Sequence, residues 1–108
     1  MQKNRLLAIG LTSFDTSLFD GSFDAINPSG LDAAGCMLRI VNNSNKDVTV
    51  SFDGTTSHDL VVSGSTLQLY APILAYDRAD FAKGTVIYLN GAVGTGYVYL
   101  SGYYVSLS

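Results

Sequence analysis

The stretch from Cys36 to Tyr70, CMLRIVNNSNKDVTVSFDGTTSHDLVVSGSTLQLY, constrains what this chain can fold into more than any other part of it. It holds four short β-branched or apolar runs, separated by turns rich in Asn, Gly and Ser. In the first run Cys36, Leu38 and Ile40 share one parity, while Met37, Arg39 and Val41 share the other. Val48, Val50 and Phe52 then alternate with Asp47, Thr49 and Ser51. A period of two puts successive side chains on opposite faces of a sheet, so one face of each run suits a core. Asn42 to Lys46, Asp53-Gly54 and Ser63-Gly64-Ser65 read as turns. His58 to Val62 reads as a third strand. Leu67 and Leu69 face inward in a fourth. This order predicts an antiparallel β meander with almost no catalytic equipment on it.

The remainder extends the pattern. Residues 6–11 suit a strand. Ala71-Pro72 interrupts the ladder, because proline has no N–H to donate. A helical turn is expected around Tyr76 to Phe81. Thr85 to Leu89 is a fifth run of the strand series, closed by the hairpin signal Asn90-Gly91. Tyr97 to Val105 is a long last strand, with Tyr97, Tyr99 and Tyr103 on one face and Val98, Leu100 and Tyr104 on the other. About six to eight short strands at roughly ten-residue spacing indicate an all-β chain, an antiparallel β-sandwich or a jelly-roll-like barrel. The expected core is Val48, Val50, Phe52, Leu60, Val62, Leu67, Leu69, Ile87, Leu89, Val98 and Leu100.

Residues 12–35, TSFDTSLFDGSFDAINPSGLDAAG, differ in kind. Neither period is sustained, and Asn27-Pro28-Ser29-Gly30 is a strong turn signal. Phe14, Leu18, Phe19, Phe23 and Ile26 nevertheless argue against free solvation. The domain reading is therefore residues 1–35 as a strand plus an extended arm or covering loop, and residues 36–108 as the sandwich. The five apolar side chains are candidates for contact with a neighbouring chain.

Composition narrows the function classes. The chain has 108 residues and one cysteine, so a single domain must be held by packing, not by internal disulfides. All nine acidic residues are Asp, which favours turns over helix interiors. Only 14% of residues are charged, about half the usual share, so the surface is poorly protected against association and much of it suits contact with other protein. A net charge of −3 with no basic run speaks against nucleic acid. No stretch reaches membrane-spanning length, and the apolar run Leu6 to Leu11 is too short for a secretory signal, so the chain is expected to be made in a cytosol and to stay soluble or assemble.

Candidate chemistry is sparse. Asp53, His58 and Asp59 lie close together, but no second histidine or serine motif joins them. A turn aspartate and a strand-opening histidine account for the pattern. The nearest aspartate pairs, Asp20/Asp24 and Asp77/Asp80, do not follow the ordered spacing of a calcium loop. Cys36 lacks ligand-spaced partners and suits a small core position. Gly91, Gly94 and Gly96 form GAVGTG without the Lys-Ser/Thr of a phosphate loop, and a hairpin loop fits better. Tyr97, Tyr99, Tyr103 and Tyr104 suit a sugar-stacking platform, a protein interface or plain cross-strand packing. No catalytic residue, metal site or cofactor is expected.

The order LRIVNNSNKDVTVSFDG, HDLVVSGSTLQLY, GTVIYLNG and GTGYVYLSGYY, over about residues 36–104, resembles small β-sandwich virion proteins of tailed bacteriophages. The resemblance implies a non-enzymatic capsid decoration or cement protein that bridges capsid subunits, located in the virion and partnered by the major capsid protein or other virion proteins. It also implies a homo-oligomer. A neck, collar or tail component is the neighbouring alternative, and a carbohydrate-binding module is the alternative from another class. Neither nucleic acid nor membrane is expected as a partner. Phe14, Leu18, Phe19, Phe23, Ile26, Tyr97, Tyr99 and Tyr103 are the expected interface residues.

Overall fold

The computed structural model describes residues 4–35, 37–70 and 81–107. Cys36, and the helical turn expected before Phe81, fall outside that range. Eight strands form among the described residues: β1 (Asn4–Asp15), β2 (Asp24–Ala25), β3 (Met37–Ser44), β4 (Val48–Ser51), β5 (Asp59–Val61), β6 (Thr66–Tyr70), β7 (Tyr88–Gly91) and β8 (Gly96–Leu107). A short 3-10 turn, Thr16–Leu18, follows β1, and the Asp15 carboxylate caps it by accepting the Ser17 N–H.

The strands build two antiparallel four-stranded sheets in the orders β1-β8-β3-β6 and β2-β7-β4-β5. The pairing is nested: β1 with β8, β2 with β7, β3 with β6, β4 with β5. That is the signature of a jelly roll, in which a long antiparallel ribbon wraps into two facing sheets. The meander expected from the sequence is corrected here. Of the consecutive strands, only β4 and β5 pair with each other; the remaining connections pass between the sheets.

Alternation along the strands supplies the core. Leu38 and Ile40 from β3, Val48 and Val50 from β4, Val61 from β5, Ile87 and Leu89, and Val98 and Leu100 from β8 are buried, with Phe52, Leu67 and Leu69 packed against them. The expected register of the third strand is off by one residue. Val61 points in at 1% exposure, whereas Leu60 and Val62 point out at 52% and 50%. In the run Leu60-Val61-Val62 both parities are apolar, so pattern cannot choose between them, and a one-residue slip exchanges the faces.

Three boundaries also differ. Asn42 continues β3, and the turn falls later, at residues 45–47. β1 runs on to Asp15. The fifth run is shifted, because β7 begins at Tyr88 and contains Asn90 and Gly91, so these two residues are not a hairpin turn. The following loop carries the chain from one sheet to the other.

Residues 12–35 are woven into the same sandwich. Phe19, Ile26 and Leu31 are buried at 3–4% exposure, and Phe14 stacks on Phe19 with ring centroids 4.9 Å apart. Asn27-Pro28-Ser29-Gly30 forms the expected turn, closed by the Gly30 N–H donating to the Asn27 carbonyl at 2.8 Å. The Asn27 side chain then ties this turn to the segment before β7: its Oδ1 accepts the Ile87 N–H at 2.7 Å and its Nδ2 donates to the Thr85 carbonyl at 3.0 Å.

Candidate functional site

The outer face of the β1-β8-β3-β6 sheet collects side chains suited to protein contact. Antiparallel register sets Tyr70, Met37, Tyr103 and Ala8 in one row across the four strands. Thr66, Val41, Tyr99 and Ser13 form a second row, with Gln68, Arg39 and Ser101 between them. Tyr97, flanked by Asn43 and Asp15, closes the upper end. Tyr70 is exposed at 66%, Tyr97 at 45% and Tyr103 at 38%, while Met37 and Tyr99 are half-buried. The tyrosines rest on neighbours without being hidden: Tyr97 and Tyr99 lie 6.2 Å apart, and the Tyr70 hydroxyl donates to Gln68 at 2.8 Å. Tyrosine, methionine and arginine are the residues enriched at protein interfaces, and Asp15 is the only acidic group in these rows, at their rim.

The end of the sandwich next to Tyr97 is stitched together by hydrogen bonds between loops. The Thr16 hydroxyl donates to the Gly96 carbonyl at 2.9 Å, and the Gly94 N–H donates to the Thr16 carbonyl. Asn45 Oδ1 accepts the Thr95 N–H at 2.8 Å, and Asp47 accepts the Ser63 N–H at 2.9 Å. Asn42 lies at the centre and is fully buried. Its Nδ2 donates to the carbonyls of Lys46 and Val61, at 2.8 and 2.9 Å, and its Oδ1 accepts the Ser44 hydroxyl at 2.6 Å. The loops approach so closely that glycine is required. Gly96 has a φ of +113°, and a Cβ there would collide with the Asn43 carbonyl, whereas a Cβ on Gly94 would displace the side chains of Asn45 and Lys46. On this rigid end Leu18 and Val93 stand exposed at 65% and 61%.

The expected interface residues therefore divide. Leu18, Tyr97 and Tyr103 are on the surface and Tyr99 is half-exposed. Phe14 and Phe23 are half-buried. Phe19 and Ile26 lie inside the chain's own core, so they are not at the surface. Tyr70, Met37 and Arg39 were missed as partners of the tyrosines because only strand order brings β6 and β3 beside β8. Asn42 was read as a turn residue. The parity of Leu38 and Ile40, carried two residues further, would have placed it inward.

Asp53 and His58 are brought together, but in a turn. Asp53 Oδ1 accepts the N–H groups of Thr55 and Thr56 at 2.8 Å and the Ser51 hydroxyl at 2.9 Å. These donors, the Thr55 N–H foremost, hold its carboxyl far below the usual carboxylate range. His58 Nδ1 accepts the Phe52 N–H at 3.0 Å, and its Nε2 lies 3.9 Å from Asp53 Oδ2. Asp20 likewise serves its own turn, accepting from Ser22. Burial, with the Asp20 charge second, raises the Asp24 carboxyl. Among the described residues no three His, Cys, Asp or Glu side chains cluster as metal ligands.

No family model matches the chain, and no curated protein matches it. Among solved structures, similarity is found in the shape of the chain. It is similar to a chain of the virus-like particle of Macrobrachium rosenbergii (giant freshwater prawn) extra small virus, with a TM-score of 0.51 and 11% identity over 96% of this chain and 78% of that one. Two weaker likenesses are to the Dit hub protein of phage SPP1, with a TM-score of 0.43 and 10% identity over 92% of this chain and 49% of that one, and to PirA, with a TM-score of 0.42 and 14% identity over 95% and 93%. At 11% identity the likeness to the virus-like particle chain is one of fold alone.

Proposed function

We propose that the chain is a non-enzymatic structural protein of a virion, seated on neighbouring virion proteins through the tyrosine-bearing outer face of the β1-β8-β3-β6 sheet. The observation that carries this reading is the cross-strand row Tyr70, Met37, Tyr103 beside Arg39. It is an interface composition on strands already held in register by their pairing, where little loop ordering opposes binding. The jelly-roll topology supports it, since viral capsid domains use this architecture, and so does the likeness of fold to the virus-like particle chain. Within the virion, the finer reading is a capsid decoration protein of a tailed bacteriophage, bridging major capsid subunits, with a neck, collar or tail position as the alternative. Leu18 and Val93, at the stitched end, supply an apolar second contact.

The test is co-sedimentation of the purified chain with particles assembled without it. Replacing both Tyr70 and Tyr103 by Ser should weaken attachment at least about tenfold, because central tyrosines are common hot spots. Unchanged occupancy by a folded double variant refutes the placement of the interface. Saccharide binding that depends on Tyr97 and Tyr99, with no binding to particles, would instead make this face a carbohydrate platform.

A further inference from the structure

We propose that the partner protein seated on the β1-β8-β3-β6 face presents an Asp or Glu carboxylate to Arg39, set between apolar groups that meet the tyrosine rows on either side. This rests on the reading above that the outer face of this sheet is the interface, and adds what the partner must carry. Arg39 projects outward from β3, because its neighbours Leu38 and Ile40 are both fully buried. Register places it between Gln68 of β6 and Ser101 of β8, so these three make the middle row of the face. The bulge between Ile9 and Thr12 sets Leu11, exposed at 66%, at the β1 end of that row. Tyr70 and Tyr103 lie one row to one side, and Val41 and Tyr99 one row to the other. Such rows are about 7 Å apart along a strand, so a partner that covers both tyrosine rows also covers the guanidinium.

What selects an acidic partner is the charge of this row. Among the described residues Arg39 makes no ion pair. The acidic group on the face, Asp15, stands two rows away at the rim. That is roughly 14 Å along the strands, beyond the screening distance of about 8 Å at physiological salt. A cation covered without an anion loses its hydration and gains nothing in return, so a surface that fits here supplies the anion. The row around it is built to donate. The guanidinium offers a planar fork of N–H groups that matches a carboxylate with two parallel bonds. Gln68 Oε1 already accepts the Tyr70 hydroxyl at 2.8 Å, which leaves its amide N–H groups as the end open to a ligand. On the other side stands the Ser101 hydroxyl. A lone cation in a row of donors, flanked by aromatic rows, is complementary to one acidic side chain among apolar ones. A basic or wholly apolar surface would leave the guanidinium unpaired.

The test is co-sedimentation of full-length variants with particles assembled without the chain. Arg39→Gln should weaken attachment at least about tenfold, with an unchanged Tm. Arg39→Lys keeps the charge but not the fork, and should fall between wild type and Arg39→Gln. A carbodiimide joins an amine to a carboxylate. With it, Arg39→Lys should couple through position 39 to an Asp or Glu of a particle protein, mapped by mass spectrometry, whereas Ser57→Lys, on the exposed turn of the other sheet, should not couple through position 57. If Arg39→Gln attaches as wild type does while the Tyr70→Ser, Tyr103→Ser double variant does not, the carboxylate is overturned and the interface stands. If neither change weakens attachment, or wild type does not attach, both readings are overturned. Equal coupling through positions 39 and 57 counts against the proposal. So does a fall in Tm of about 5 °C or more for Arg39→Gln, which would reveal an anion for Arg39 within the chain. Binding of a uronic acid through Arg39, without attachment to particles, also overturns it.

Discussion

Replacing Asn42 by leucine would keep the volume of a fully buried side chain while deleting the bonds that tie the turn after β3 to the end of β5. Asn42 donates to Lys46 and Val61 and accepts from the N–H and hydroxyl of Ser44. Of these bonds, that to the Val61 carbonyl is fully buried, and losing it strands an acceptor at a cost of about 1–3 kcal/mol. The other three partners are only part-buried and recover some hydration, leaving about 0.5 kcal/mol or less each. The total, after the apolar gain of leucine, is about 1–3 kcal/mol, which for a chain of this size lowers Tm by about 5–15 °C. Urea unfolding followed by far-UV circular dichroism and by tyrosine fluorescence measures this directly, with an unchanged m-value as the sign of two-state behaviour. Asn42→Asp should cost still more, because it puts a carboxylate where no water reaches. Stability within 0.5 kcal/mol of wild type for Asn42→Leu would refute the argument that this network holds the loop-cluster end.

Two further outcomes follow from burial and charge. Leu89→Ala should cost about 2–5 kcal/mol, and Leu60→Ala should stay within about 0.5 kcal/mol, so denaturant midpoints that reverse this order would contradict the register of β5. Asp53 is held ionised by its turn donors, so its folded-state pKa lies below the unfolded value. Its contribution is complete above the ordinary carboxylate range and is lost as pH falls through the folded-state value. The unfolding free energy of Asp53→Asn should therefore fall less steeply than that of wild type from about pH 4 downward, and parallel curves would show that the turn does not depend on the charge.

The parts of this fold that were legible in the sequence are those where one strand face is apolar and the other polar. Val48 and Val50, or Val98 and Leu100, announce their burial by alternation alone. The pairing of strands was not legible, because nothing local in β1 names β8 as its partner. β2 was hidden by being two residues long. Phe19, Ile26 and Leu31 were hidden because a covering loop inserts side chains singly and so shows no period. Asn90-Gly91 misled because a favourable turn dipeptide was overridden by pairing of β7 with β4. On the candidate site, the tyrosine parity of β8 was readable, whereas the contributions of Tyr70, Met37 and Arg39 depended on strand order.

The nested pairing has a consequence for how the chain reaches this state. Only β4 and β5 close a short loop; every other pairing joins residues further apart, up to Asn4 with Leu107. Once β4 and β5 are joined, β3 and β6 are brought near, and then the outer pairs, so each closure shortens the effective loop of the next. Assembly should therefore run outward from residues 48–61 and finish with β1 against β8, on the millisecond-to-second scale of non-local β topologies. During synthesis, Leu6 to Leu11 emerges well before β8, and of the four nested pairs β1 waits longest for its partner strand. An apolar segment left unpaired for that interval is an aggregation hazard, so the yield of folded protein should rise when nascent chains are kept dilute.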